Sequence, residues 1–179
     1  MREPVANIAA VTDPYLRAFL GAKGVQAHER GVALRVGEAS ALFGTLAEAQ
    51  DVTAILGNLV DNALEAAVTA PPGPRWVEVD LLSEGTTLHL AVADSGTGVV
   101  PDLDVFAEGA TTRARDDAEA HGHGVGLGLA RRLARLVGGD LWIADPGGDD
   151  SGAVFAARLP GVLEDNAAHP PTEHGRPRP

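Results

Sequence analysis

Gly124-Val125-Gly126-Leu127-Gly128-Leu129, running on through Ala130-Arg131-Arg132-Leu133 and closed by Gly138-Gly139, decides how this 179-residue chain is read. Three glycines at alternate positions open a segment whose apolar spacing predicts a helix from about Val125 to Val137. Backbone N–H groups at a helix start offer donors and a positive dipole end, and glycine removes side chains that would block approach, so the stretch suits phosphate. Two familiar phosphate loops compete for it. A dinucleotide fingerprint follows the first strand of a βαβ unit and wants an acidic residue about 20 positions later, whereas a loop precedes this motif. A P-loop requires Gly-Lys-Ser/Thr, and neither lysine nor a hydroxyl residue follows these glycines.

Two further motifs lie upstream. In Asn58-Leu59-Val60-Asp61-Asn62-Ala63 the asparagines are four residues apart. The apolar positions Val52, Ile55, Leu56, Leu59, Ala63 and Ala66 predict a helix from about Glu48 to Ala67, so both amides fall on one face, at the rim of its apolar stripe. An amide oxygen there can complete the shell of a Mg2+ held mainly by phosphate oxygens and water. The other motif, Asp94-Ser95-Gly96-Thr97-Gly98, ends a predicted hairpin. Trp76–Leu81 and Leu88–Ala93 alternate in polarity on either side of Glu84-Gly85, and Asp94 falls at the strand end. Taken singly, each of these motifs is an ordinary helix face or turn; together and in this order they are specific.

The remaining chain frames them. Pro14 to Arg30 predicts an amphipathic helix carrying Leu16, Phe19, Leu20 and Val25, capped by Thr12 or Asp13 and weakened by Gly21 and Gly24. Short strands are expected at Val32–Val36, Asp140–Ala144 and Ala153–Leu159, the last two flanking a Gly-Asp-rich turn. Val99 to His123 has few apolar positions and is expected to be a long loop. From Gly161 onward no core pattern is visible, and a disordered tail is expected over 161–179. Fourteen basic against 25 acidic residues give a net charge of -11, which opposes a nonspecific grip on nucleic acid or an anionic membrane. There is no cysteine, hence no disulfide or thiolate metal site. No apolar run approaches the roughly 20 residues that span a bilayer, and no signal-peptide pattern opens the chain, so this piece is expected to be soluble and without membrane contact.

The three motifs, in the order Asn motif, Asp-x-Gly-x-Gly, Gly-x-Gly-x-Gly, resemble the N, G1 and G2 boxes of the superfamily of ATP-binding domains shared by gyrase, Hsp90, MutL and the histidine kinases. The resemblance runs from about Thr12 to Pro160. It implies an α/β two-layer sandwich: a mixed sheet of about five strands with three helices on one face, holding ATP and Mg2+. It assigns Asn62, with Asn58 beside it, to the metal and the catalytic step, and Asp94 to the adenine amine, with Gly96 and Gly98 letting the backbone pass close to the base. Gly122, Gly124, Val125, Gly126, Leu127 and Gly128 fall at the phosphates. Val105-Phe106-Ala107-Glu108-Gly109-Ala110-Thr111-Thr112-Arg113 is similar to the ATP lid, from which Thr112 and Arg113 would reach the nucleotide, as would His123. A metal role for the His121/His123 pair is disfavoured, since no cysteine or obvious third ligand accompanies it.

Hydrolysing members of that superfamily carry a glutamate one turn before the metal-binding asparagine, where it activates water. This chain has Asn58 there, and an amide is not a base. Transfer to a protein nucleophile is favoured, as in histidine kinases. Asp13-Pro14, Lys23, Glu29-Arg30-Gly31-Val32 and Gly57 to Ala66 resemble the citrate/C4-dicarboxylate type of sensor kinase, although Glu65 stands where many histidine kinases have a basic residue. The resemblance divides the chain into 1–30, the end of a dimerisation helix or linker, and 31–160, the ATP-binding catalytic domain. It implies a dimerisation and phosphoacceptor domain and a response regulator as partners, and a membrane-anchored homodimeric parent with this part in the cytosol. Glu29 follows His28, but none of His28, His89, His121, His123, His169 or His174 is read as lying in the H-box context of a phosphoacceptor, so the acceptor is expected elsewhere. The alternatives are an anti-sigma-factor serine kinase of the same superfamily and a nucleotide-binding module without transfer.

Overall fold

The computed structural model describes residues 5–107, 126–148 and 152–164. Among the described residues six strands form one sheet in the order β1-β2-β3-β4-β6-β5: β1 (Val5–Ala6), β2 (Ala33–Val36), β3 (Trp76–Glu84), β4 (Thr87–Asp94), β5 (Asp140–Asp145) and β6 (Val154–Leu159). β1, β2 and β3 run parallel to one another, and the remaining pairs are antiparallel. Five strands were expected and six are found. The extra one, β1, has two residues, too few for alternation to show in a sequence.

Register explains why the fold is two-layered. Leu34, Val77, Val79, Leu81, Leu90, Val92, Phe155, Ala157 and Leu141 fall in cross-strand rows on one side of the sheet and are all buried. Against that side pack α1 (Pro14–Glu29), α2 (Ala49–Thr69) and α3 (Gly126–Leu136). The opposite side carries Arg35, Trp76, Glu78, Asp80 and Trp142, which stay at least partly accessible, with Arg35 stacked 4.8 Å over Trp76 and paired with Glu78. One covered face and one open face is the ordinary economy of an alternating strand pattern.

The helix expected to end a dimerisation hairpin shares this core. Leu16, Leu20, Gly24 and Ala27 of α1 are buried, whereas Val25, expected on the apolar face, is half exposed. Burial of that stripe outweighs the roughly 1 kcal/mol that each of Gly21 and Gly24 costs a helix relative to alanine. Asp13 fastens its start: one carboxylate oxygen accepts from Leu16 N–H at 2.7 Å and the other from Leu46 N–H at 2.9 Å, both bonds buried. Asp13→Ala strands two buried donors and is expected to cost about 2–4 kcal/mol. A urea melt read by circular dichroism checks this; a loss under about 0.5 kcal/mol, the level of an ordinary surface change, would contradict it.

The last described residues correct a second expectation. Val162 and Leu163 belong to the core, held by Val162 C=O accepting from Ala47 N–H and by Leu163 N–H donating to Thr86 C=O. Two apolar residues between a glycine and an acid carry no period, so the sequence could not announce them.

Candidate nucleotide site

α2 is the spine of the site. Ten of its residues are buried, five of the six positions expected from periodicity among them, whereas Ala66 is half-buried, and the partly exposed edge of the helix carries Asn58 and Asn62. Asn58 Nδ2 donates to Ala54 C=O at 2.7 Å, one turn back, which fixes the amide and leaves its oxygen as the outward atom. That oxygen faces the start of α3: a Cβ on Gly126 would sit 2.9 Å from Asn58 Oδ1. A side chain at position 126 would press on that amide and force it to shift. The Asn and Gly-x-Gly-x-Gly motifs are thus brought together.

The Asp-x-Gly-x-Gly motif meets the same helix further along. A Cβ on Gly96 would lie 2.9 Å from Ala66 Cβ, so the turn after β4 packs directly on α2. Eight residues of helix separate Asn58 from Ala66, roughly 12 Å at 1.5 Å per residue. That span is comparable to the distance from a purine base to the terminal phosphate of an extended nucleoside triphosphate.

Asp94 closes β4 and is buried, with Oδ1 accepting from Gly96 N–H at 2.7 Å. Burial pushes its carboxyl up to about 6, against the opposing pull of the Gly96 and Ala153 backbone groups. A buried acceptor tuned this way suits a neutral donor. Gly98, with φ of +79°, turns the chain away in a conformation that side chains resist, and Val99 N–H donates to Pro146 C=O at 2.7 Å. Gly152 completes this corner unexpectedly: a side chain there would run into Asp94 itself. The sequence marked the β5–β6 turn only as rich in glycine and aspartate. Its role in walling Asp94 follows from the antiparallel pairing of β4 with β6, which no local signal encodes.

Gly128 is buried and Leu127 is half-buried against the core. Phe106 is captured beside them. Its carbonyl lies 2.7 Å from where a Gly128 Cβ would stand, its ring meets Phe155 edge-on at 6.3 Å, and the Arg131 guanidinium stacks over it at 4.6 Å. Arg131 and Arg135 also pair with Asp140 at 3.0 and 3.1 Å and hold its carboxyl well below the usual range, the Arg131 hydrogen bond contributing most. Thr112, Arg113, Gly122, His123, Gly124 and Val125 lie outside the described residues.

A sheet of this order with an asparagine-bearing helix between two glycine turns has known counterparts. The family model described as histidine kinase-, DNA gyrase B- and HSP90-like ATPase matches residues 47–162. The chain belongs to this family. Among relatives of this ATPase domain, it is 32% identical over 128 residues to the sensor histidine kinase DpiB of Escherichia coli (strain K12), covering 70% of this chain and 22% of the relative. It is 29% identical over 157 residues to the sensor protein CitS of Halalkalibacterium halodurans, covering 86% and 28%. These are sensor kinases of the type that the residues around Asn58–Asn62 resemble. Full-length ShkA, solved in complex with AMPPNP, superimposes with a TM-score of 0.63 at 26% identity, over 84% of this chain and 30% of that one. The chain therefore spans between about a fifth and a third of the length of these proteins. Among the described residues, no helix is long and apolar enough to cross a membrane.

Proposed function

We propose that the chain is the ATP-binding catalytic part of a sensor histidine kinase, which transfers the γ-phosphoryl of ATP to a histidine on a dimerisation domain. The observation that carries it is the placing of all three motifs along α2, Asn58 against Gly126 at one end and Gly96 against Ala66 at the other. Asp94 accepts the adenine amine, the N-terminus of α3 receives phosphate oxygens, and the amide face of α2 lies between. The parent is proposed to be a membrane-anchored homodimer with this part in the cytosol, signalling to a response regulator.

The donor set fits Mg2+. Asn58 presents an oxygen because its nitrogen is committed to Ala54, and Asn62 stands one turn on along the same face. Among the described residues no group of three histidine or acidic side chains could hold a metal alone. Phosphate oxygens and water would supply the other ligands, as Mg2+ prefers. When bound, the ion neutralises charge on the transferring phosphoryl group. Asn62 would hold it, Asn58 would orient its shell, and neither amide can take a proton from water.

Incubation with γ-labelled ATP, alone and with a supplied dimerisation hairpin, tests the proposal. No label is expected on the chain alone, and acid-labile label is expected on the hairpin. Acid-stable label on the chain would favour the serine-kinase reading. Nucleotide binding without any labelling would reduce the chain to a binding module.

A further inference from the structure

One ion pair beside the amide face is unused by the proposed mechanism. Lys23 of α1 reaches Asp61 of α2 at 2.6 Å, with its ammonium also 3.3 Å from Gln26 Oε1 and 6.0 Å over the Phe19 ring. The lysine side chain is only 16% exposed, against 50% for the aspartate, so the helix crossing confines the cation and leaves the carboxylate at the open edge. Phe19 itself fits into the crossing at Gly57, whose Cβ would stand 3.3 Å from its ring, which fixes α1 against α2 one residue before Asn58.

On α2 the three polar residues fan out. At about 100° per residue, Asp61 falls roughly 60° to one side of Asn58 and Asn62 roughly 40° to the other. Asn58 Oδ1 faces α3 through Gly126, whereas Asp61 faces α1 through Lys23. Glu65, one turn further on, is itself engaged. A carboxylate left unneutralised this close to a polyphosphate would repel it.

We infer that Lys23 is a positioning residue that draws the Asp61 carboxylate toward α1 and neutralises it there, so that the phosphates meet amides. The inference rests on the proposal that Asn58 and Asn62 face the phosphates. Its signature is a penalty that grows with phosphate charge and vanishes when Asp61 loses its own.

Affinities of the 179-residue chain for AMP, ADP and ATP at saturating Mg2+ are measured by calorimetry for Lys23→Met, Asp61→Asn and the double variant. Lys23→Met is expected to weaken ATP about three- to tenfold, ADP less and AMP less than about twofold, the scale of one partly exposed ion pair. Adding Asp61→Asn should restore ATP to within about twofold of the starting protein, given that exposed pairs contribute little to stability. Unchanged ATP affinity in Lys23→Met, equal losses for AMP and ATP, or failure of Asp61→Asn to rescue would each overturn the inference. Asn62→Ala separates the two levels. If it leaves the preference for ATP over AMP intact, the amide face does not meet the phosphates and this inference falls with that proposal. If it removes the preference while Lys23→Met does not, only the role of Lys23 falls.

Discussion

Asp94→Asn is expected to weaken ATP binding about ten- to hundredfold and to erase the preference for ATP over GTP, the scale of losing a hydrogen bond to a charged group in a buried site. The direction follows from the geometry. Gly96 N–H already claims Asp94 Oδ1, so an asparagine keeps its oxygen there and turns its NH2 toward the adenine amine, donor against donor. pH gives an independent signature. With the carboxyl raised to about 6 by burial, its acceptor strength for adenine declines as pH falls through that value. Stability moves the other way, because the native state holds a proton that the unfolded chain releases. The contribution of Asp94 is fully present below the ordinary carboxyl value of 3.8 and is lost as pH rises through about 6. Between pH 7 and 5 the starting protein should lose ATP affinity more steeply than Asp94→Asn, in titrations at constant ionic strength. Equal competition by GTP and ATP against the unmodified chain would remove adenine recognition from Asp94.

What could be read in advance divides along physical lines. Local signals carried far: the Asp13 cap, Pro14 in the first turn, the alternation of β3 and β4 and the glycines opening α3 all act within a few residues, and each element is found where it was expected. The motifs were legible because alternate glycines and two asparagines one turn apart stand out from the apolar pattern around them. Illegible was whatever arises only from pairing distant strands. β1 exists because β2 offers it an edge, Val162 and Leu163 are buried because 45–47 and the β3–β4 turn receive them, and Gly152 guards Asp94 because β6 lies beside β4. The pairing of Lys23 with Asp61 is of the same kind, since 38 residues separate the partners. Only the crossing of α1 over α2 joins them.

Asn62→Ala is expected to lower phosphoryl transfer to a supplied dimerisation hairpin about hundredfold, near 2.7 kcal/mol of barrier, while binding of metal-free ADP changes less than about twofold. The contrast is what gives the substitution meaning. In the proposed site ADP without metal would be held by Asp94 and the glycine turns, neither of which touches the Asn62 amide among the contacts described, so a general loss of folding would lower both quantities together. Single-turnover transfer at saturating nucleotide, over a Mg2+ titration, measures the effect. The required metal concentration should rise in the variant, because one protein oxygen has been withdrawn from the shell. Transfer within about threefold of the starting protein, or ADP binding that collapses alongside it, would take the metal away from Asn62, since removing one good electrostatic contact normally costs far more than threefold. Asn58 bounds the same chemistry from the other side. Its nitrogen is spent on Ala54 and its oxygen is not a base, so the chain should hydrolyse ATP far more slowly than about one turnover per second even with the metal in place. Slow hydrolysis together with metal-dependent transfer is the behaviour required of a site that must keep its phosphoryl group for a protein acceptor.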